Sequence, residues 1–173
     1  MAAGFADPAW VPQKITVVAW SWIGEEQVDW RICGPMGLFG NPTLRKVMLR
    51  PLLAAIREAD MLTGHNILRF DLPVLNAEAM RLGLRPIGKV LVQDTMRVRK
   101  SLGFKKGQDN LSVRYKTPGE KLSLSWQQWQ DAYDTPGWPL IIERCVTDVQ
   151  DHKNIRAAML HEGHLKDPII WRG

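Results

Sequence analysis

The chain has 173 residues and an ordinary apolar fraction of 45%, which favours one globular domain over residues 1–173. No stretch approaches the roughly 18 uninterrupted apolar residues that a membrane span requires, and the first residues lack the basic and apolar blocks of a secretory signal. These features argue against a membrane protein and indicate a cytoplasmic one.

The net charge of +5 is mild, so a polyanionic partner is allowed but not required. Basic residues cluster in one part of the chain, as either a solvated face or a surface that follows phosphates: Arg97, Arg99, Lys100, Lys105, Lys106, Arg114, Lys116 and Lys121. The two cysteines, Cys33 and Cys145, are too few and too far apart for a disulfide framework or a zinc knuckle, which predicts free thiols.

The first third of the chain predicts a strand hairpin followed by a helix. Residues 14–23 and 27–33 contain β-branched and aromatic side chains on either side of a polar turn, a pattern typical of two paired strands. Apolar residues recur with a helical period over residues 43–58. Thr43 is the expected cap of this helix, and Pro51 predicts a kink or a later start.

The middle of the chain alternates strands and helices. Residues 59–64 indicate a short strand, residues 71–82 a strong helix, and residues 89–93 another short buried strand. Asp94 and Thr95 are expected to cap a basic helix that ends at about residue 102.

The last third is predicted to be mainly helical. Residues 103–125 look irregular, a short helix is expected over residues 125–133, and a long helix over residues 141–161. A hairpin followed by alternating helices and strands predicts the α/β class with a mixed sheet.

Residues 64–73 read Gly-His-Asn-Ile-Leu-Arg-Phe-Asp-Leu-Pro and are the segment best suited to chemistry. Asp71 lies where a loop meets a helix, so its carboxylate can face a cleft while the helix continues behind it. Gly64 allows the chain to turn, and Asn66 can donate an amide hydrogen bond towards a phosphate or towards Asp71. The structural alternative is that Asp71 is the N-cap of the helix.

This segment resembles the second signature motif of the DnaQ-like (DEDD) 3′–5′ exonucleases of the RNase H-like superfamily, in which an asparagine and three further residues precede Phe-Asp. The resemblance covers about residues 14–160 and implies an RNase H-like mixed sheet flanked by helices. It also implies hydrolysis of DNA or RNA phosphodiesters by a two-metal-ion mechanism with Mg²⁺ or Mn²⁺. Asp71 would then be a catalytic metal ligand, and the residues expected to bind substrate are His65, Asn66 and Phe70.

Residues 144–149 resemble the third motif of the same family. Asp148 matches its aspartate and would be the second catalytic metal ligand, with an exposed helix acid as the structural alternative. The family has a tyrosine four residues before this aspartate or a histidine five before it, whereas this chain has Arg144 and Glu143 there. Because arginine stays protonated, Arg144 would orient water or bind a phosphate and would not act as a base. Asp151, one turn further on, is either a substitute or outer-shell acid, or surface charge.

The first motif of the family is a strand with Asp-x-Glu, which is expected before the hairpin and bridges both metals. Residues 1–13 precede the predicted hairpin and contain a single acid, Asp7. The first catalytic strand is therefore expected to be missing from this chain. Three explanations stay open: a chain shortened at its N-terminus, a non-catalytic relative, or acids supplied by another chain.

The resemblance favours a 3′–5′ exonuclease-type domain whose partner is a nucleic acid 3′ end, DNA in preference to RNA. Such domains accompany polymerases and other replication proteins, and a phage-encoded one would work in the host cytoplasm. The first alternative is a catalytically impaired relative that binds nucleic acid or a partner. The second is a structural or assembly protein in which Asp71 only caps its helix.

Overall fold

The computed structural model describes residues 15–33, 41–99, 106–117, 124–135 and 138–173. In this part the chain forms five helices and two small sheets, in the order β1 (Val17–Trp20), β2 (Asp29–Ile32), α1 (Pro42–Glu58), β3 (Met61–Gly64), α2 (Asp71–Arg81), β4 (Val90–Asp94), α3 (Gln108–Tyr115), α4 (Trp126–Asp134), α5 (Pro139–His161) and β5 (Ile169–Trp171). The predicted α/β class with a mixed sheet is confirmed. Within the described ranges, no helix has both the length and the apolar character to cross a membrane.

The first sheet is the predicted hairpin. β1 and β2 pair antiparallel, with Val17 opposite Ile32 and Trp20 opposite Asp29. Gly24 adopts a φ of 95° in the connection, a conformation that side chains disfavour and glycine allows. The hairpin buries Val18 in the core and leaves its other positions half-buried or exposed.

The second sheet has the order β3-β4-β5 and is mixed. β3 runs parallel to β4, from Met61 opposite Leu91 to Gly64 opposite Asp94. β5 pairs antiparallel with β4 on its other side. The sequence did not predict β5, because three residues are too few to show a strand period.

Helix α1 begins earlier than predicted. The Asn41 side chain accepts hydrogen bonds from the backbone N–H groups of Thr43 (2.9 Å) and Leu44 (3.4 Å), so Asn41 is the cap and the prediction of Thr43 was wrong. Pro42 then occupies the first helical turn, where its fixed φ and missing N–H carry no penalty. Pro51 lies inside the helix without ending it.

Two predictions between β4 and α4 were wrong. No helix follows Asp94 in the described residues up to Arg99; a turn leads instead to an isolated bridge between Val98 and Leu165. The region predicted to be irregular contains α3, whose Leu111 is fully buried against α5. Both outcomes depend on partners distant in sequence, which a local pattern does not report.

Helix α5 holds the two sheets together. It packs against β1, β2, α3 and α4, and its side chains reach the second sheet. Lys153 donates to the Ser21 hydroxyl at the hairpin (3.1 Å), and Arg156 donates to Gln93 Oε1 of β4 from both Nε (3.1 Å) and Nη2 (2.8 Å). The carboxyl end of β4 is thereby fixed against a rigid helix.

Candidate functional site

The candidate site lies at the edge where β3 and β4 end side by side. Gly64 and Asp94 are paired, and the Thr95 N–H donates to the Gly64 carbonyl (3.0 Å). Because parallel strands deliver their carboxyl ends to one edge, the segments that follow both strands meet there. The edge therefore brings residues 65–71 next to residues 94–97.

Asp94 anchors the loop between β3 and α2. Its Oδ1 accepts from the N–H groups of Asn66 and Met96, both at 2.9 Å, and its Oδ2 accepts from the Leu68 N–H at 3.2 Å. Asp94 is buried, and its hydrogen bonds hold both the turn at residues 94–96 and the loop at residues 66–68. The prediction that Asp94 caps a following helix was wrong, because its acceptor oxygens serve this loop.

The three predicted substrate-binding residues belong to the anchored loop that precedes Asp71. Asn66 has a φ of 61°, a left-handed conformation that asparagine tolerates better than most residues. Phe70 leaves 49% of its surface exposed, and an exposed aromatic ring can stack on a base. His65 follows directly after β3. Hydrogen bonds to Asp94 therefore hold the loop backbone, while the Phe70 ring is exposed to solvent.

Asp71 is the first residue of α2, and the cap position before it, Phe70, makes no side-chain capping bond. The carboxylate is exposed but lies close to dense protein. This partial desolvation raises the pKa of the Asp71 carboxyl, a hydrogen bond to its own backbone lowers it, and the charge of Asp94 raises it further. The geometry does not support the alternative that Asp71 is the N-cap, because the helix begins at Asp71 itself.

A hydrogen-bonded chain of side chains ties this edge to α5. His65 Nδ1 lies 3.0 Å from Thr95 Oγ1, which lies 3.5 Å from His152 Nδ1. His152 Nε2 then lies 3.1 Å from Thr63 Oγ1. Burial, together with the nearby charges of His65 and Arg156, lowers the pKa of His152 to about 3, so His152 is neutral.

The third-motif residues lie on α5. Arg144 Nε and Asp148 Oδ2 form an ion pair at 3.0 Å across one helical turn. Asp148 and His152 are four residues apart and so share a face of the helix, and His152 reaches the β3–β4 edge. Arg144 therefore forms an ion pair with Asp148, the acid that it was expected to assist.

Asp151 is a structural acid. It is buried, and its carboxylate accepts hydrogen bonds from the Ser112 hydroxyl (2.6 Å), the Thr117 hydroxyl (2.9 Å) and the Gln108 side chain (3.2 Å). These contacts fasten α3 to α5. Asp151 is therefore not surface charge, and both of its carboxylate oxygens accept structural hydrogen bonds.

The carboxylates that the structure describes do not by themselves make up a two-metal site. Asp71 and Asp148 come from two helices, and no group of three or more His, Cys, Asp or Glu side chains within the described residues could hold a metal ion. Two magnesium ions need several oxygen ligands around one point. Asp7, the acid in the segment before the hairpin, lies outside the described residues.

The sequence located the loop but not the groups that order it. His65, Asn66, Phe70 and Asp71 lie together at the β3–β4 edge, and Arg144 and Asp148 lie together on α5. The role of His152 was missed, although its spacing of four residues from Asp148 is a visible signal of a shared helix face.

No protein-family model, curated protein or solved structure matches this chain. The resemblance to DnaQ-like exonucleases therefore rests on the two motifs themselves.

Proposed function

We propose that this chain is a 3′–5′ exonuclease-type domain of the DnaQ-like, RNase H-like class that acts on DNA in preference to RNA. Asp71 and Asp148 are its metal-binding acids, for Mg²⁺ or Mn²⁺, and Arg144 positions water or phosphate. The residues that contact the terminal nucleotide are His65, Asn66 and Phe70. Further carboxylate oxygens have to come from outside the described residues.

The observation that supports this proposal most strongly is that Asp94 and Thr95, at the end of β4, hold the loop before Asp71 through hydrogen bonds. Asp94 fixes the loop backbone through two hydrogen bonds, from the N–H groups of Asn66 and Leu68, and the His65–Thr95–His152 chain fixes its first residue to α5. The first residue of α2 is Asp71, which is exposed and whose carboxyl pKa is raised. Holding the backbone around a reacting group through buried hydrogen bonds is one way in which enzymes keep such a group in position.

The second candidate is a relative that binds nucleic acid without hydrolysing it. The Arg144–Asp148 ion pair favours this function. It places a permanently protonated group on a metal-binding acid, at the position where the family has tyrosine, and a cation there competes with a metal ion for the same carboxylate.

The test is digestion of a 3′-labelled single-stranded oligonucleotide with Mn²⁺ by the wild type and by Asp71→Asn. Removing a metal ligand forfeits several kcal/mol of transition-state stabilisation, so the variant is expected to lose about a hundredfold or more in rate. The matched control is Asp60→Asn, an exposed acid just before β3, at the far end of that strand from the site.

A 5′-labelled copy of the same oligonucleotide reports the direction of cleavage. Shortening from the 3′ end in the wild type and in Asp60→Asn, but not in Asp71→Asn, supports the exonuclease. Binding without cleavage in all three proteins supports the second candidate, and cleavage that is equal in all three removes Asp71 from the mechanism.

A further inference from the structure

A basic cavity opens beside the candidate site. It has a volume of about 470 Å³ and lies between the segment after β4 and the segment before β5, lined by Arg97, Arg99, Lys166, Asp167, Pro168 and Ile169. The cavity is widely open to solvent. Three of the six lining residues carry a positive charge and one carries a negative charge.

The backbone holds these cations in place. The Lys166 N–H donates to the Arg97 carbonyl (3.2 Å), and the Arg99 N–H donates to the His164 carbonyl (2.9 Å). Between them Val98 forms a bridge with Leu165 and is buried. Residues two apart in such extended pairing point to the same side, so Arg97 and Arg99 face away from the core together.

The charges of the cavity are only partly neutralised. Asp167 pairs with Arg99 at 2.7 Å, and both side chains are exposed, so this pair is weak. Arg97 Nη1 is shielded from solvent and has no hydrogen-bond partner among the described residues. This atom is therefore out of reach of a ligand, and Arg97 contributes its positive charge and the rest of its half-buried side chain to the cavity.

The position of the cavity indicates which anion it binds. The Arg97 N–H donates to the Asp94 carbonyl (2.9 Å), so the cavity begins one turn after the residue that anchors the Asp71 loop. Pro168 and Ile169 add apolar surface beside the cations. Arg and Lys side chains are among the usual contacts of nucleic acid phosphates, and such contacts position a protein on a strand.

We propose that the cavity formed by Arg97, Arg99 and Lys166 is a subsite for a phosphodiester of a nucleic acid strand whose end lies at Asp71. This inference rests on the proposed function, because it takes the ligand class from it. Arg97, Arg99 and Lys166 supply positive charge to the cavity, and no carboxylate of the described residues forms an ion pair with Lys166.

The test measures binding without cleavage. A fluorescently labelled single-stranded oligonucleotide is titrated in EDTA against the wild type, Arg97→Gln and Lys166→Gln, at several salt concentrations. The matched controls are Arg50→Gln on α1 and Lys89→Gln, which remove exposed cations; Lys89 lies at the opposite end of β4. Circular dichroism and thermal melting confirm that each variant is folded.

Each cavity variant is expected to weaken binding about tenfold and to reduce the slope of log K against log salt by about 0.7, the loss of one phosphate contact. Each control is expected to change the dissociation constant less than about twofold, because a distant surface charge is screened. Equal losses in cavity and control variants, or no loss in either, overturn the subsite.

Competition identifies the form of the phosphate. Displacement of the labelled strand by unlabelled oligonucleotide, with inorganic phosphate and a nucleoside monophosphate far weaker, supports a strand phosphodiester. Equal displacement by a nucleoside monophosphate overturns it in favour of a free-nucleotide site.

The subsite and the proposed function can fail separately. If Asp71-dependent cleavage is present and the cavity variants bind like the controls, the subsite is wrong and the exonuclease stands. If the wild type does not cleave but the cavity variants lose binding, the exonuclease is wrong and the subsite stands.

Discussion

Replacing His152 with glutamine should remove part of the pH dependence of folding. His152 is buried within hydrogen-bond distance of Thr63 and Thr95, and burial lowers its pKa from 6.5 to about 3. Glutamine keeps polar atoms for this network but does not titrate.

The sign follows from proton binding. As the pH falls below 6.5, His152 of the unfolded chain takes up a proton, whereas folded His152 stays neutral until about pH 3. The unfolded state therefore binds more protons over this window, and stability falls with falling pH. Between about pH 7 and about pH 5, these two pKa values give a loss of about 2 kcal/mol in the free energy of unfolding, which is present in the wild type and absent in His152→Gln.

The measurement is urea unfolding of both proteins at several values between these two pH limits, followed by circular dichroism. The difference in unfolding free energy between wild type and His152→Gln isolates this residue, because all other titrating groups are shared. His161→Gln is the matched control, since His161 is exposed at the end of the same helix.

A difference that stays constant to within about 0.5 kcal/mol across this range would refute the reasoning. It would mean that His152 titrates alike in the folded and unfolded chains. The His65–Thr95–His152 chain would then be accessible to water, and His152 of α5 would not be buried against the β3–β4 edge.

Three further substitutions test buried structural contacts of the protein by equilibrium unfolding. Asp151→Asn should cost about 3 kcal/mol, because an amide cannot accept every hydrogen bond that this buried carboxylate receives from α3. Glu78→Gln should cost about 3–5 kcal/mol, because Glu78 is fully buried and pairs with Arg45, whose charge would be left without its partner. Gly64→Ala should cost about 1–3 kcal/mol, because its new Cβ would lie 2.7 Å from the Cβ of Ile67 in the loop before Asp71.

Matched substitutions show whether these losses are specific. Asp60→Asn removes an exposed acid and should change the unfolding free energy by less than about 0.5 kcal/mol. Gly88→Ala adds a Cβ that meets nothing within 4 Å and should not destabilise the protein. If the site variants change stability no more than these controls, the buried contacts assigned to them are not formed in solution.

Sequence patterns were most informative where an element makes its own signal. The hairpin, α2, α4 and the long α5 follow from hydrophobic period and turn residues, and the structure contains all four. The three helices lie close to their predicted bounds, whereas both hairpin strands are shorter than predicted, with four residues each. The Asp71 segment was also visible, because its residues are contiguous and their chemical types are unusual together.

The organisation of the site was not visible in the same way. Asp94 looked like a helix cap because only its downstream neighbours could be considered, whereas its partners Asn66 and Leu68 precede it by 28 and 26 residues. Asp151 could not be separated from a catalytic acid until α3 supplied its hydrogen bonds. Local patterns describe what a segment can form, and distant partners decide which of these options is realised.

The sequence alone thus determined the alternation of strands and helices and the acid that begins α2. Only the tertiary structure decided that His152, 89 residues from Thr63, closes the site from behind, and that Arg97 and Lys166 line one cavity. The physical reason is that a hydrophobic period is written within one segment, whereas a buried hydrogen bond or a shared cavity exists only after separate segments have packed together.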